Sequence, residues 1–204
     1  KGTLRRKSYH INNRLERLGG EINAFTTKEE LVLHATVLRE DLGKALELMS
    51  DLVFHSVFPE SEVTKERDVI LDEIRSYKDS PMDLIYDSFE EKLFAGTPMA
   101  TPILGIPGEL SKITSRHMKQ YLGERFIPQT MALSVVGNIT PARAILLAEK
   151  YFGIGAFSEK NPCPAKMTVS VPTSQSASCF DITEKRGTYQ THCLTGSAAY
   201  GLHD

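Results

Sequence analysis

Residues 63–77, VTKERDVILDEIRSY, decide how this chain is read. On a helical wheel of roughly 100° per residue, Val63, Ile70, Ile74 and Tyr77 form one apolar stripe, with Val69 beyond it. Glu66 and Glu73 fall in the arc between, so the wheel predicts a helix with both glutamates turned inward, towards a core. An unpaired buried carboxylate costs on the order of several kcal/mol, so such a group is paired with a cation, protonated, or bound to metal. The wheel leaves two readings open. Either Arg or Lys from a neighbouring element satisfies the glutamates, or the helix carries metal or catalytic chemistry.

The surrounding composition is that of a soluble globular chain. Its 204 residues are 41% hydrophobic and 25% charged, enough for one good core or one core plus part of another. A formal net charge of −2 gives no electrostatic reason to expect nucleic acid or an anionic membrane as partner. No apolar run approaches the ~20 residues of a membrane span, and the basic opening Lys1 to Lys7 lacks the hydrophobic segment of a secretory signal. Three cysteines, Cys163, Cys179 and Cys193, have no CxxC spacing and suggest neither a disulfide framework nor a zinc ribbon. They favour a reducing compartment, and a cytoplasmic location is the expectation. None of the six histidines pairs with another at i, i+4, so no complete metal site is expected within these residues.

Outward from the central stretch, the pattern alternates helices and short strands. An amphipathic helix is predicted over residues 7–18, closed by Gly19 and Gly20. Strands follow at 22–26 and 31–38, the second with apolar groups on both faces and therefore expected to be mostly covered. Helices are predicted at 42–57, 59–77 and 81–94, an irregular Gly- and Pro-rich loop at 96–109, and a short helix at 115–125. Residues 131–136 read as a strand, after which Thr140 caps a helix with Pro141 at its first position and Gly153 at its end. Asn138-Ile139-Thr140 matches a glycosylation acceptor, but the turn and the helix cap account for it. Residues 158–178 have a linker composition, and strand signals resume from Cys179.

Several short motifs recur in a specific order: Lys1-Gly2-Thr3; Gly19-Gly20-Glu21-Ile22-Asn23-Ala24-Phe25-Thr26; Glu66 with Val69 through Ile74; Gly105 with Ile113-Thr114; Val135-Val136-Gly137-Asn138-Ile139; and Gln190-Thr191-His192. Together they resemble the pitrilysin and insulinase family of zinc metallopeptidases, especially the shorter members related to mitochondrial processing peptidase. The resemblance implies an α+β fold, a mixed, largely antiparallel sheet packed by several helices. It also implies a division into a first metallopeptidase domain at 1–160 lacking its N-terminal strands, a linker at 161–178, and the first strands of a second, repeat-related domain at 179–204.

In that family an inverted zinc motif, HxxEH, lies on a helix just before the segment that Lys1-Gly2-Thr3 resembles. By this resemblance Glu73 matches the third protein ligand of one zinc ion, and Glu66 matches a second acidic residue implicated in catalysis. Two histidines and a carboxylate leave such a zinc an open position for water. The two glutamates lie about 10 Å apart along the helix axis, too far to share one ion easily, so Glu66 suits proton handling beside the metal. Asn23, Ala24 and Phe25 match an edge strand along which peptide substrate lies as an added strand, although an ordinary edge strand after a Gly-Gly turn would read the same way. His192 is assigned a structural role. The implied function is zinc-dependent endopeptidase action on peptides or unfolded polypeptide by the complete protein, with these residues alone inert and lacking zinc. A noncatalytic, peptide-presenting subunit of the same family is the alternative, and the resemblance leaves a homodimer or a heterodimer open.

Overall fold

The computed structural model describes residues 2–153, 179–187, 189–197 and 199. By internal contacts the chain divides into two units, residues 1–64 with 113–167 and residues 65–112 with 168–204. Among the described residues the helices are α1 (Ser8–Glu16), α2 (Leu42–His55), α3 (Glu60–Lys78), α4 (Pro81–Leu93), α5 (Pro107–Leu110), α6 (Ser115–Arg125) and α7 (Pro141–Phe152). Two strands, β1 (Glu21–Thr26) and β2 (Leu31–Thr36), make an antiparallel hairpin in which Glu21 faces Thr36 and Thr26 faces Leu31. The fold is α+β with an antiparallel sheet.

In the first unit, α1 presents Ile11 and Leu15 one turn apart and ends at Gly19, whose φ of +69° is left-handed backbone that favours glycine. Gly20 is required for a different reason. A Cβ there would lie 2.7 Å from Val37 Cγ1 and 2.9 Å from the Thr36 carbonyl oxygen, so the chain passes too close to β2 for a side chain. Ile11 and Leu15 meet Ala45 and Leu48 of α2 in a buried cluster, with Leu18, Ile22, Ala35, Val37 and Leu52 packed around it. Further along α2, Ser50 Oγ donates to the Tyr151 carbonyl (2.8 Å) and the rings of Phe54 and Phe152 meet edge-on at 5.8 Å, which seats α7. Thr140 caps α7 by accepting from the Arg143 N–H at 3.4 Å, and a capping box of Thr114 and His117 opens α6.

In the second unit, α3 beyond residue 64 is followed by α4 after Asp79 and Ser80, with Pro81 at the first position of α4. Ile74 is the buried residue of α3. The ring of Phe180 lies 5.6 Å from that of Phe89 on α4.

Three expectations are corrected. Residues 131–136 pair with no strand among the described residues, and Val136 is 95% exposed. Alternating apolar residues show what a segment can pair with, but a strand exists only with a neighbour's hydrogen bonds. The strands expected from Cys179 onward are likewise absent from the described part of 179–199. β2 is covered only in part, because Ala35 packs on the helical core while Leu31 on the same face, and His34 and Thr36 on the other, stay exposed. The 96–109 loop holds a 3-10 turn and the start of α5, and the 161–178 linker lies outside the described residues.

Leu48, with no exposed surface, anchors the first core. Leu48→Ala should lower unfolding stability by roughly 2–5 kcal/mol, whereas Ile145→Ala, at a side chain 57% exposed, should cost less than about 0.5 kcal/mol. Urea titration of both variants checks the contrast.

Candidate functional site

The α3 glutamates do not face a core. Glu73 is exposed and Glu66 half-buried, which corrects the inward placement that the wheel suggested. That inference depended on Val69 extending the apolar arc past the glutamates, and Val69 is 59% exposed. The stripe ends on the Tyr77 side, with half-buried Ile70 and Tyr77 flanking buried Ile74, so the glutamates lie along its solvent margin. They still share one face, seven residues apart, as two turns of helix require. Among the described residues Glu73 makes no ion pair, since the nearby Arg75 is bound to Asp72 at 2.6 Å.

Asn23, Ala24 and Phe25 lie on β1, in the other unit. All three are exposed, and β1 has β2 as its one ladder partner among the described residues. The hairpin register separates their roles. The Thr27 N–H donates to the Glu30 carbonyl at 2.8 Å, which makes that pair hydrogen-bonded, and antiparallel pairs alternate from there. Asn23 with His34 and Phe25 with Val32 are then the bonded pairs, and Ala24 turns its N–H and C=O away from β2. The Ala24 N–H confirms this by donating to Asn23 Oδ1 at 2.8 Å. Of the three residues, Ala24 is therefore the one whose backbone faces the open edge. Ile22 and Thr26 share its alternation, and the sequence reading passed over both.

A buried polar cluster in the first unit was also missed. Asp51 of α2 is 1% exposed, and its Oδ2 accepts from Thr3 Oγ1 (2.8 Å) and from Arg6 Nη1 (2.5 Å). Arg6 Nη2 donates to Glu47 Oε1 at 2.6 Å. Burial alone would lower the Arg6 pKa, but the hydrogen bonds and charges of Glu47 and Asp51 outweigh it and hold the guanidinium above its ordinary value. The helix pattern carried no signal for it, since Asp51 lies about 60° from Leu48 and about 100° from Leu52, on the side of Lys44 and Glu47 and outside the apolar arc of α2. A separate concavity of about 690 Å³ at the start of α7, lined in part by Arg39, Lys44 and Arg143, includes none of Glu66, Glu73, Asn23, Ala24 or Phe25.

No three of His, Cys, Asp and Glu gather closely enough among the described residues to hold a metal ion. A catalytic zinc takes three protein ligands, so the residues described do not by themselves fit a zinc site.

With the geometry in place, comparison with known proteins defines the class. The chain matches the family described as insulinase, peptidase family M16, over residues 1–106, and it belongs to that family. It is 32% identical over 196 residues to the uncharacterized zinc protease YmxG of Bacillus subtilis, spanning 96% of this chain and 46% of that protein. A zinc protease of Rickettsia felis is 36% identical over 167 residues, 81% of this chain and 40% of that one. The chain thus spans less than half the length of these relatives. Bovine cytochrome b-c1 complex subunit 1 is 29% identical over 165 residues, 80% of this chain and 34% of that one. Among solved structures, a protease from Helicobacter pylori shares the fold with a TM-score of 0.72 at 23% identity, over 81% of this chain and 40% of that one. A peptidase M16 inactive domain from Pseudomonas fluorescens does so with a TM-score of 0.70 at 18% identity, over the same shares of 81% and 40%.

On the stripe beside Glu73, burial first and then the charges of Asp87, Asp83 and Glu90 on α4 push the Tyr77 phenol above its ordinary value of 10.0. The unfolded chain therefore loses this proton at lower pH than the folded chain does. The stability linked to it is full below about pH 10 and is lost as pH rises through the raised folded value. Tyr77→Phe, which cannot ionise, should flatten the decline of stability above about pH 10. Urea unfolding across that range, compared with the unsubstituted chain, is the check, and parallel curves would assign the decline to other groups.

Proposed function

We infer that the complete protein is a zinc-dependent metalloendopeptidase acting on peptides or unfolded polypeptide segments, and that residues 1–204 alone are inactive. The observation that carries this reading is the placement of Glu66 and Glu73 on one face of α3, in a chain of the insulinase family. Glu73, exposed and outside any ion pair among the described residues, suits a carboxylate ligand whose companions come from polypeptide beyond these residues. Glu66, about 10 Å along the axis, suits proton handling rather than ligation. Peptide adds to the open edge of β1 through the backbone of Ala24, with Asn23 and Phe25 beside it. The sparse cysteines support a cytoplasmic setting.

A second reading has its own support. Kinship to bovine cytochrome b-c1 complex subunit 1, and a fold shared with a peptidase M16 inactive domain, favour a noncatalytic subunit that binds or presents peptide, as part of a homo- or heterodimer. Metal analysis of the complete protein separates the two readings. On the first, Glu73→Gln lowers zinc content and activity together by roughly tenfold or more, while Glu66→Gln keeps most of the zinc and lowers kcat. Equal zinc loss in both variants would overturn that division of roles. Absence of zinc from the unsubstituted protein would favour the subunit.

The edge is tested separately. Ala24→Pro removes a donor that β2 does not use, so the fold should survive, as edge strands tolerate proline. Loss of one backbone hydrogen bond to substrate should raise KM for a flexible peptide by roughly 3–10-fold, while Ala24→Ser should change little. Unfolding of the proline variant would place β1 inside a larger sheet and remove Ala24 from the substrate path.

A further inference from the structure

We propose that the concavity of the first unit, bordered by Arg39, Arg143 and Lys150, binds a diphosphate group, either inorganic or carried on an organic ester. Its residues are not those of the peptide edge, and the proposal does not depend on peptidase action. The hollow measures about 690 Å³ and its lining lies entirely within the first unit, a size inside the roughly 300–1,000 Å³ of small-molecule sites. Its cations are unequally compensated. Lys44 Nζ is tied to Asp41 Oδ1 at 2.7 Å, and Arg14 Nη2 lies 3.5 Å from Glu47 Oε2. Arg39 and Arg143, by contrast, make no ion pair or side-chain hydrogen bond among the described residues. Lys150 Nζ lies 5.0 Å from the centroid of the Tyr151 ring and pairs with no carboxylate among those residues. Of the two carboxylates that line the hollow, Glu47 is held by Arg6 at 2.6 Å, which leaves Glu40. Three uncompensated cations thus share the hollow with one uncompensated carboxylate, on a chain whose formal net charge is −2.

The packing of α7 does not require these cations, because the helix is seated by buried Leu147, by the bond from Ser50 and by the Phe54 ring. Arg143 even stands where its charge is unfavourable. It lies in the first turn of α7, which holds no acidic residue, and the N-terminal end of a helix carries partial positive charge. An anion in the hollow would compensate it together with Arg39, which arrives from the turn before α2. Each guanidinium presents a planar fork to a pair of oxygens, so two forks from separate segments suit two adjacent anionic groups. A phosphoryl group fits better than a carboxylate, because its three oxygens point in different directions while those of a carboxylate share one plane. The donors are spread in the same way, over Arg39, the first turn of α7, and Lys150 two turns later. Thr140 Oγ1 accepts from the Arg143 N–H, which leaves its hydroxyl hydrogen for the ligand. A diphosphate alone would not fill the hollow. Ile139, Leu147 and Tyr151 border the remainder, where the organic part of an ester would lie.

The test titrates the complete protein by calorimetry, at fixed ionic strength, with inorganic diphosphate, ADP, orthophosphate and a hexaglutamate peptide. Arg39→Gln and Arg143→Gln should each weaken inorganic diphosphate and ADP by roughly 10- to 100-fold, the loss expected for hydrogen bonds to a charged group. Both side chains are exposed, so Tm without ligand should stay within about 2 °C. Arg39→Lys should recover only part of the affinity, since an ammonium lacks the fork. Arg116→Gln on α6 removes the same charge away from the hollow and should leave affinity within about twofold. Tighter binding of ADP than of inorganic diphosphate would support an organic ester as the ligand, and equal affinities would support the inorganic ion. Orthophosphate or hexaglutamate binding as tightly as inorganic diphosphate would overturn the proposal. So would equal losses in the three glutamine variants, or no binding of inorganic diphosphate or ADP below about 1 mM.

Discussion

A carboxylate with 1% of its surface exposed must be compensated from somewhere, and the compensation of Asp51 organises the first unit. Its partners are Thr3 and Arg6, so this carboxylate joins α2 to residues that precede α1. One turn earlier on the same helix, Leu48 closes the apolar cluster with Ile11 and Leu15 of α1. A neighbouring position, Ser50, holds the end of α7 through the Tyr151 carbonyl. Three consecutive demands, apolar burial, a hydrogen bond to a helix end and a buried charge, are thus met within four residues of α2. Removing the charge would leave the Arg6 guanidinium with Glu47 alone and the Thr3 turn without its link to the helix, while the apolar cluster would be untouched.

The helices were largely legible because their signals are local. α6 occupies the expected range, 115–125, and α2 and α4 end within two residues of expectation. Strands were legible only where a partner is near in sequence. The hairpin of β1 and β2 carries its own register, whereas residues 131–136 have the alternation of a strand without a ladder among the described residues. The two acidic sites differ in an instructive way. On α3 a wheel is ambiguous at the margin of a stripe, and the exposure of Val69 moved Glu66 and Glu73 from core to edge. On α2 the same wheel sets Asp51 about 60° from Leu48 and about 100° from Leu52, on the side of Lys44 and Glu47, so its burial comes from Thr3 and Arg6 elsewhere in the chain and not from the helix's own apolar arc. A carboxylate at the margin of an apolar arc is therefore buried or exposed according to what packs on it from elsewhere in the chain, which a wheel does not contain.

An open antiparallel edge such as that of β1 is a hazard, because unpaired N–H and C=O groups invite other strands. This chain blunts it locally. Asn23, whose own backbone pairs with β2, lends its side-chain oxygen to the Ala24 N–H, and Glu21 stands exposed on the same strand. An exposed hydrogen bond of this kind contributes about 1 kcal/mol or less. That is enough to occupy the donor in water, but small against a peptide that offers several ladder bonds at once. The same edge is therefore protected from a single chance contact and available to an extended chain, a balance that a covering helix or an edge proline at Ala24 would not give. On the function proposed above, recognition through alternate backbone groups at Ile22, Ala24 and Thr26 depends little on the partner's side chains, which is the tolerance that a peptidase of unfolded segments requires.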